Sequence, residues 1–178
     1  MTATSTTVLV AYASKMGSTQ EIATEIAAVL AAAGLDARVR DAAEVSNLDG
    51  YDAVVLGSAI YTARWRPDAI AVLQLLAERA DQLRPVPSWL FQSGPCGDHA
   101  DAPVPTPKKV AKYVGRIGTA PPVTFGGRLD PATATFFIAR KMADGPLAGD
   151  YRDFDQVRQF AQSIAQRLTA PEPAEVWR

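Results

Sequence analysis

What this chain lacks narrows it first. It has one cysteine, Cys96, and one histidine, His99. A single cysteine excludes any intrachain disulfide and any Cys-x-x-Cys redox or zinc motif. No group of His, Cys and carboxylates has metal-ligand spacing, so no metal is expected. Charge of one sign is missing too. Lys and Arg number 18 against 19 Asp and Glu, a net charge of −1, which gives neither a nucleic-acid footprint nor an acidic tail. No stretch approaches the roughly 20 apolar residues of a membrane span. Residues 1–7 are hydroxyl-rich and carry no apolar signal core, which predicts a cytoplasmic protein with at most peripheral contact with the inner membrane. Two common phosphate-binding signatures are also absent: there is no Gly-x-Gly-x-x-Gly and no Gly-x-x-x-x-Gly-Lys-Ser/Thr.

What is present suits one globular domain. The chain has 178 residues, 48% of them hydrophobic and 21% charged, enough to bury a core without staples. A domain over 8–169 is expected, with a flexible start at 1–7 and a tail at 170–178. Strand and helix patterns alternate along it. Apolar runs predict strands over 8–13, 37–40 (with Val39 pointing inward), 53–57, 89–91 and 123–125. Between them, Ile22, Ile26, Val29 and Leu30 share one helical face, with Ser18 and Glu21 spaced as a capping box and Gly34 as the stop. Pro67 opens a second helix with Ile70, Leu73, Leu76, Ala77 and Ala80 as its stripe. A third helix is expected over 108–117. A fourth starts at Asp153 with Gln156 and carries Val157, Phe160, Ala161, Ile164 and Leu168 on one face. Near-continuous apolar strands alternating with helices imply a doubly wound α/β fold, a five-stranded parallel sheet in the order 2-1-3-4-5.

Ligands of such sheets sit beyond the C-terminal strand ends, at the switch point. Three loops leave those ends: 14–19, 58–66 and 92–102. In the first, Ser14, Lys15, Met16, Gly17, Ser18 and Thr19 join a buried strand to a helix. Backbone N–H groups, hydroxyls and the positive end of a helix dipole then converge on one spot, which suits a phosphate. The bland alternative is a tight turn before an ordinary capped helix. The Ser-x-x-Gly-Ser-Thr turn resembles the phosphate loop of flavodoxins, which holds the monophosphate of flavin mononucleotide (FMN). In the second loop, Gly57 and Ser58 permit close backbone approach, and Ser58, Ala59, Ile60, Tyr61 and Trp65 would lie beside a flavin ring. Tyr61 and Trp65 are candidates for the ring's wall; Trp65 packing under the next helix is equally open. In the third, Ser93, Gly94, Pro95, Cys96, Gly97 and Asp98 could reach the pyrimidine edge with backbone groups.

Five segments extend the likeness over 8–168: Tyr-Ala-Ser-Lys-Met-Gly-Ser-Thr, Gly-Ser-Ala-Ile-Tyr, Trp-Leu-Phe-Gln-Ser-Gly-Pro-Cys-Gly-Asp, Phe-Gly-Gly-Arg-Leu-Asp and Gly-Asp-Tyr-Arg-Asp-Phe-Asp. Together they resemble the flavodoxin-domain family related to menaquinone-dependent protoporphyrinogen oxidase. That resemblance implies a flavodoxin-like fold with an insertion near the last strand, noncovalent FMN, and an oxidoreductase passing electrons through it. It also implies a tetrapyrrole or quinone as small-molecule substrate. The alternatives are an electron carrier serving a redox partner protein, and a deazaflavin-binding or cofactor-free interaction domain. A magnesium-binding receiver domain is disfavoured, because Tyr12-Ala13-Ser14 offers no acidic pair.

Charge bears on the choice. Electron-carrying flavodoxins are acidic, whereas this chain is near neutral, with Lys15, Arg64 and Arg66 in the ligand loops. Cations beside a flavin favour its reduced, anionic form and raise its potential, which suits delivery to a quinone; cations pointing into water would do little. The 126–149 insertion carries an apolar patch, Thr135-Phe136-Phe137-Ile138, followed by Arg140 and Lys141. It could cover the flavin or meet a membrane, or form a satellite core. Arg128 could reach a flavin phosphate or an anionic substrate, and Arg152 and Asp153 suit a helix start. His99, beside Asp98 and Asp101, could shuttle protons or lie exposed in its loop. Cys96 lacks a Cys-x5-Arg partner and a fixed base, leaving it a loop residue near the flavin. The sequence nominates no catalytic residue.

Overall fold

The computed structural model describes residues 5–83, 85–97, 104–132, 141, 144–145 and 147–170. Strand β1 (Thr7–Ala13) lies at the sheet's centre, and every residue from Val8 to Ala13 is buried. Its period-two alternation sends Val8, Val10 and Tyr12 to one face and Leu9, Ala11 and Ala13 to the other. Around it run β2 (Asp36–Asp41), β3 (Ala53–Tyr61), β5 (Ser88–Ser93) and β6 (Val123–Phe125), all parallel, in the order β2-β1-β3-β5-β6. The short β4 (Arg64–Trp65) folds back antiparallel onto β3. Counting parallel strands alone, the order is the expected 2-1-3-4-5.

Helices cover both faces. On one, α1 (Ser18–Ala32) and α4 (Phe154–Thr169) bury Ile22, Ile26, Leu30, Val157 and Ile164 against β1, β5 and β6. There Phe91, Phe125 and Phe160 form a ring cluster with centroids 5.7–6.4 Å apart. On the other, α2 (Pro67–Gln82) and α3 (Lys108–Ile117) bury Leu73, Leu76, Val110 and Ile117 against Leu9, Val54, Leu56 and Leu90. After β6, the two-residue strands β7 (Arg128–Leu129) and β8 (Gly149–Asp150) pair antiparallel and bracket the insertion. The apolar patch and Arg140 at 135–140 lie outside the described residues.

Four local expectations need correcting. Val39 is 37% exposed, because β2 is the sheet's edge strand, with a neighbouring strand on one side only. Ser18 does not cap α1: Gly17 does, at φ 81°, with no side-chain cap. Glu21, the other half of the expected capping box, sends its carboxylate to Arg128 and Arg152 instead. Finally, 58–66 is no open loop. β3 runs on to Tyr61 and turns through Thr62 and Ala63, both at positive φ, into β4. Helix α4 starts as expected, with Asp153 accepting from the N–H groups of Asp155 (2.9 Å) and Gln156 (3.2 Å).

Candidate functional site

The three strand-end segments meet at one cavity of about 570 Å³, lined mainly by apolar atoms. Ser14, Lys15, Met16, Ser18 and Thr19 line it from the first segment, Ala59, Ile60, Tyr61 and Thr62 from the second, and Ser93, Gly94 and Cys96 from the third. Gly127, Arg128, Leu129 and Leu147 close the remaining side. The size suits a cofactor-sized ligand.

The first segment is shaped by its own residues. Ser14 Oγ accepts the Gly17 N–H at 3.0 Å, which curls the turn, and the left-handed conformation of Gly17 swings the chain into α1. That places Ser18 and Thr19 in the first helical turn, facing the cavity. Thr19 is fully buried and Ser18 nearly so, yet neither Ser18 Oγ nor Thr19 Oγ1 has a hydrogen-bond partner. Leaving a buried hydroxyl unpaired costs about 1–3 kcal/mol. Two such groups at a helix N-terminus, beside backbone N–H groups the helix cannot use, make a set of unused hydrogen-bond donors, an arrangement that suits an anion.

Cations gather at this end. Arg128 and Glu21 pair doubly, Nη2 to Oε1 at 2.9 Å and Nη1 to Oε2 at 3.1 Å. Arg152 Nη1 reaches the same Oε2 at 2.7 Å, and its Nη2 reaches Asp150 Oδ2 at 2.6 Å. The Arg152 side chain is only 4% exposed, and its guanidinium lies over Phe154, 5.0 Å from the centroid. Burial opposes ionisation of Glu21, but hydrogen bonds from Arg152 and Arg128 outweigh it and hold the carboxyl below its usual range. The hydrogen bond from Arg152 does the same for Asp150. Arg152 is itself held more firmly protonated by Asp150.

The rest of the lining is more apolar. Tyr61 lines the cavity with Lys15 Nζ 5.9 Å from its ring centroid, a cation–π arrangement. Burial raises the Tyr61 pKa, so the phenol stays protonated at neutral pH. Met16, Cys96, Leu129 and Leu147 pack together as a small cluster on the other side. Burial also raises the Cys96 thiol, with Asp150 adding to the effect. Its Sγ donates to the Gly94 carbonyl at 3.5 Å. A protonated, hydrogen-bonded thiol is no nucleophile.

Several expected residues hold the site without lining it. Trp65 is buried beneath the hairpin, where its indole N–H donates to Gln92 Oε1 at 3.0 Å; it belongs to the core and forms no wall. Ser58 is fully buried, accepting the Arg66 N–H at 3.0 Å and donating to the Ala59 carbonyl at 2.9 Å. Gly57 gives close approach to a side chain: a Cβ there would lie 2.0 Å from Phe91 Cζ. The Pro95 carbonyl accepts the Gly127 N–H at 2.7 Å, and Gly97, at φ 72°, lies against Leu147. Asp98, His99 and Asp101 lie outside the described residues. Arg64 and Arg66 do not line the cavity, and Arg66 pairs with Asp68 at 3.6 Å.

Some contributors carry little signal of their role in the sequence. Gln92 ties three segments together: its amide also donates to Thr124 Oγ1 at 2.9 Å and to the Val104 carbonyl at 3.4 Å. A lone Gln inside an apolar strand was the available hint. Thr62 enters through the hairpin. Leu129 and Leu147 enter through the β7–β8 bracket, which a two-residue pairing does not announce.

Comparisons agree with this architecture. No curated protein sequence matches the chain significantly. Among solved structures, flavodoxin 1 from Bacillus cereus in its oxidised form is similar at 16% identity and a TM-score of 0.60, with 92% of this chain and 99% of that one covered. The rubredoxin oxygen:oxidoreductase of Desulfovibrio gigas matches at 18% identity and a TM-score of 0.60, over 92% of this chain. The flavodiiron core of Flv1 from Synechocystis sp. PCC6803 matches at 15% and 0.63, over 93%. This chain spans only 36% of the length of each of those two. At such identities the likeness is one of fold. The family profile described as Flavodoxin domain matches residues 9–143, most of the chain. Flavodoxin-domain homologues bind FMN; nothing among these relatives points to protoporphyrinogen oxidase. With its sheet order, its three converging strand ends and this match, the chain belongs to the flavodoxin domain family.

Proposed function

We propose that this chain binds FMN noncovalently and works as an electron-transfer flavoprotein serving a redox partner protein. One observation carries the reading: two buried, unpartnered hydroxyls at a helix N-terminus form the polar end of an otherwise apolar cavity. An ordinary capped turn would have used those hydroxyls itself. FMN has the matching halves, a phosphate and a flat ring, and when bound supplies the redox chemistry. The protein's part is placement. Ser18, Thr19 and the N–H groups of the first α1 turn hold the phosphate, and Ser14 keeps their loop in shape. Tyr61, steadied by Lys15, flanks the ring, while Ala59, Ile60, Gly94 and Cys96 bring backbone groups and apolar surface to its edges. That flavodoxin-like units also form about a third of larger redox chains supports a role in feeding another centre.

Titration with FMN tests this. Added FMN should lose its fluorescence and remain bound through gel filtration, with the flavin band near ~450 nm retained. A protein that neither gains that band nor quenches FMN overturns the reading.

A second reading is a flavin oxidoreductase acting directly on a quinone or reduced tetrapyrrole, as in protoporphyrinogen oxidase. The apolar cluster of Met16, Cys96, Leu129 and Leu147 favours it, since it offers a greasy flank to a flat substrate. So does the near-neutral charge. Anaerobic mixing with protoporphyrinogen and a menaquinone analogue separates the two. Flavin absorbance that changes with either small molecule supports the enzyme; a low second reduction potential with no turnover supports the carrier.

A further inference from the structure

Arg128 lies on β7, more than 100 residues from the phosphate loop in sequence, yet it lines the same cavity as Ser14, Ser18 and Thr19. We infer that Arg128 is a specificity residue that reads the phosphate of the bound flavin, so that the protein selects FMN over the unphosphorylated riboflavin. The inference rests on the FMN reading above and deepens it.

The guanidinium has two usable edges. Glu21 occupies the end-on edge, taking Nη1 at 3.1 Å and Nη2 at 2.9 Å. The side-on edge, Nε with the second proton of Nη2, is left over. Arg128 Nε is buried and has no hydrogen-bond partner, as with the two hydroxyls of the loop. Nη2 lies closest to the turn, 3.9 Å from where a Cβ on Gly17 would sit. Three unsatisfied donors from two distant segments therefore surround one end of the cavity, and one of them is permanently charged. A planar pair of N–H groups beside two hydroxyls matches the oxygens of a phosphate monoester. A neutral ribityl hydroxyl could satisfy one of these donors but not the set.

Glu21 and Arg152 act as positioning residues. Glu21 fixes the orientation of Arg128, and Arg152, buried and bound to both Glu21 and Asp150, fixes Glu21. Arg128, Arg152, Glu21 and Asp150 sum to zero charge, so the cluster can stay assembled without ligand.

The test compares affinities for FMN and riboflavin, each by quenching of flavin fluorescence, in the wild type and two variants. Arg128→Gln should weaken FMN by about 10- to 100-fold, as expected for losing a charge-assisted hydrogen bond to a buried anion, and leave riboflavin within about 2-fold. Arg128→Lys keeps the charge but loses the planar pair of N–H groups, so it should weaken FMN less than Arg128→Gln does and leave riboflavin within about 2-fold. Equal weakening of both flavins by Arg128→Gln would assign the residue to the cavity's structure alone and overturn the inference. So would unchanged FMN binding in that variant. If Arg128→Gln fails to fold, Arg128→Lys decides: FMN weakened relative to riboflavin supports the inference, and an unchanged ratio of the two affinities overturns it. A wild type that binds neither flavin refutes the proposed function instead.

Discussion

Thr19 has no exposed surface, and its hydroxyl has no partner. Stability and binding should therefore respond to it in opposite directions. Thr19→Val keeps the shape and removes the unpaired hydroxyl, so the ligand-free protein should gain about 0.5–1 kcal/mol in urea unfolding. The same change should weaken FMN by about 10-fold, the cost of one hydrogen bond to a charged group. A variant less stable in the free state would show that the hydroxyl is paired in solution. Gly57 is the converse case. Its α-hydrogen faces the Phe91 ring, and a methyl there would lie 2.0 Å from Cζ. Gly57→Ala should cost about 1–3 kcal/mol of stability by overpacking, lowering the urea midpoint without changing the slope. The sequence alone suggests that this glycine serves ligand approach. A Gly at a strand end fits either role, and only the register that sets it opposite Phe91 decides.

At the scale of elements, the hairpin between β3 and β4 is under backbone strain. Its two central residues, Thr62 and Ala63, sit at φ 49° and 57°, where non-glycine residues rarely go. Such a two-residue turn prefers Asn-Gly. Replacing Thr62→Asn and Ala63→Gly together should raise stability by about 1–2 kcal/mol, read as a higher melting temperature. No rise would mean that the turn relaxes in solution. The hairpin also shows where sequence patterns stop informing. The central strands β1, β3 and β5 and the helices were legible because each buries an apolar run or stripe, and period fixes type, whereas the edge strand β2 buries no residue and is held by its pairing with β1. β4, β7 and β8 are two residues long, too short for any period, and are made by tertiary packing. The turn at 14–19 was legible for the opposite reason: its geometry is local, lying within six consecutive residues. Arg128 could be nominated but not placed, since its position depends on a fold-back more than 100 residues later.

At the scale of the whole molecule, Glu21, Arg128, Asp150 and Arg152 tie the start of α1 to the base of the insertion and to the approach to α4. Both carboxyls are held below their usual range, so they bind fewer protons folded than unfolded. The stability they contribute is thus complete above the ordinary carboxylate pKa and lost as pH falls through the lowered folded-state values. Asp150→Asn should be less stable than the wild type at pH 7, and the gap should shrink towards zero with acidification in parallel urea titrations. A gap independent of pH would remove the charge from the explanation. Because both carboxylates are nearly half exposed, salt should narrow the gap as well. Among the described residues, no helix is long and apolar enough to cross a membrane.

The contact between Gly57 and Phe91 carries a consequence for ancestry and engineering alike. Neighbouring strands put the two positions side by side, and one has room only because the other has no side chain. Substitution at 57 is closed to any lineage that keeps an aromatic at 91. A lineage that first shrinks 91 opens 57, after losing its ring contacts with Phe125 and Phe160. The two sites should accordingly vary together across homologues, and each single change should look deleterious where the double change is tolerated.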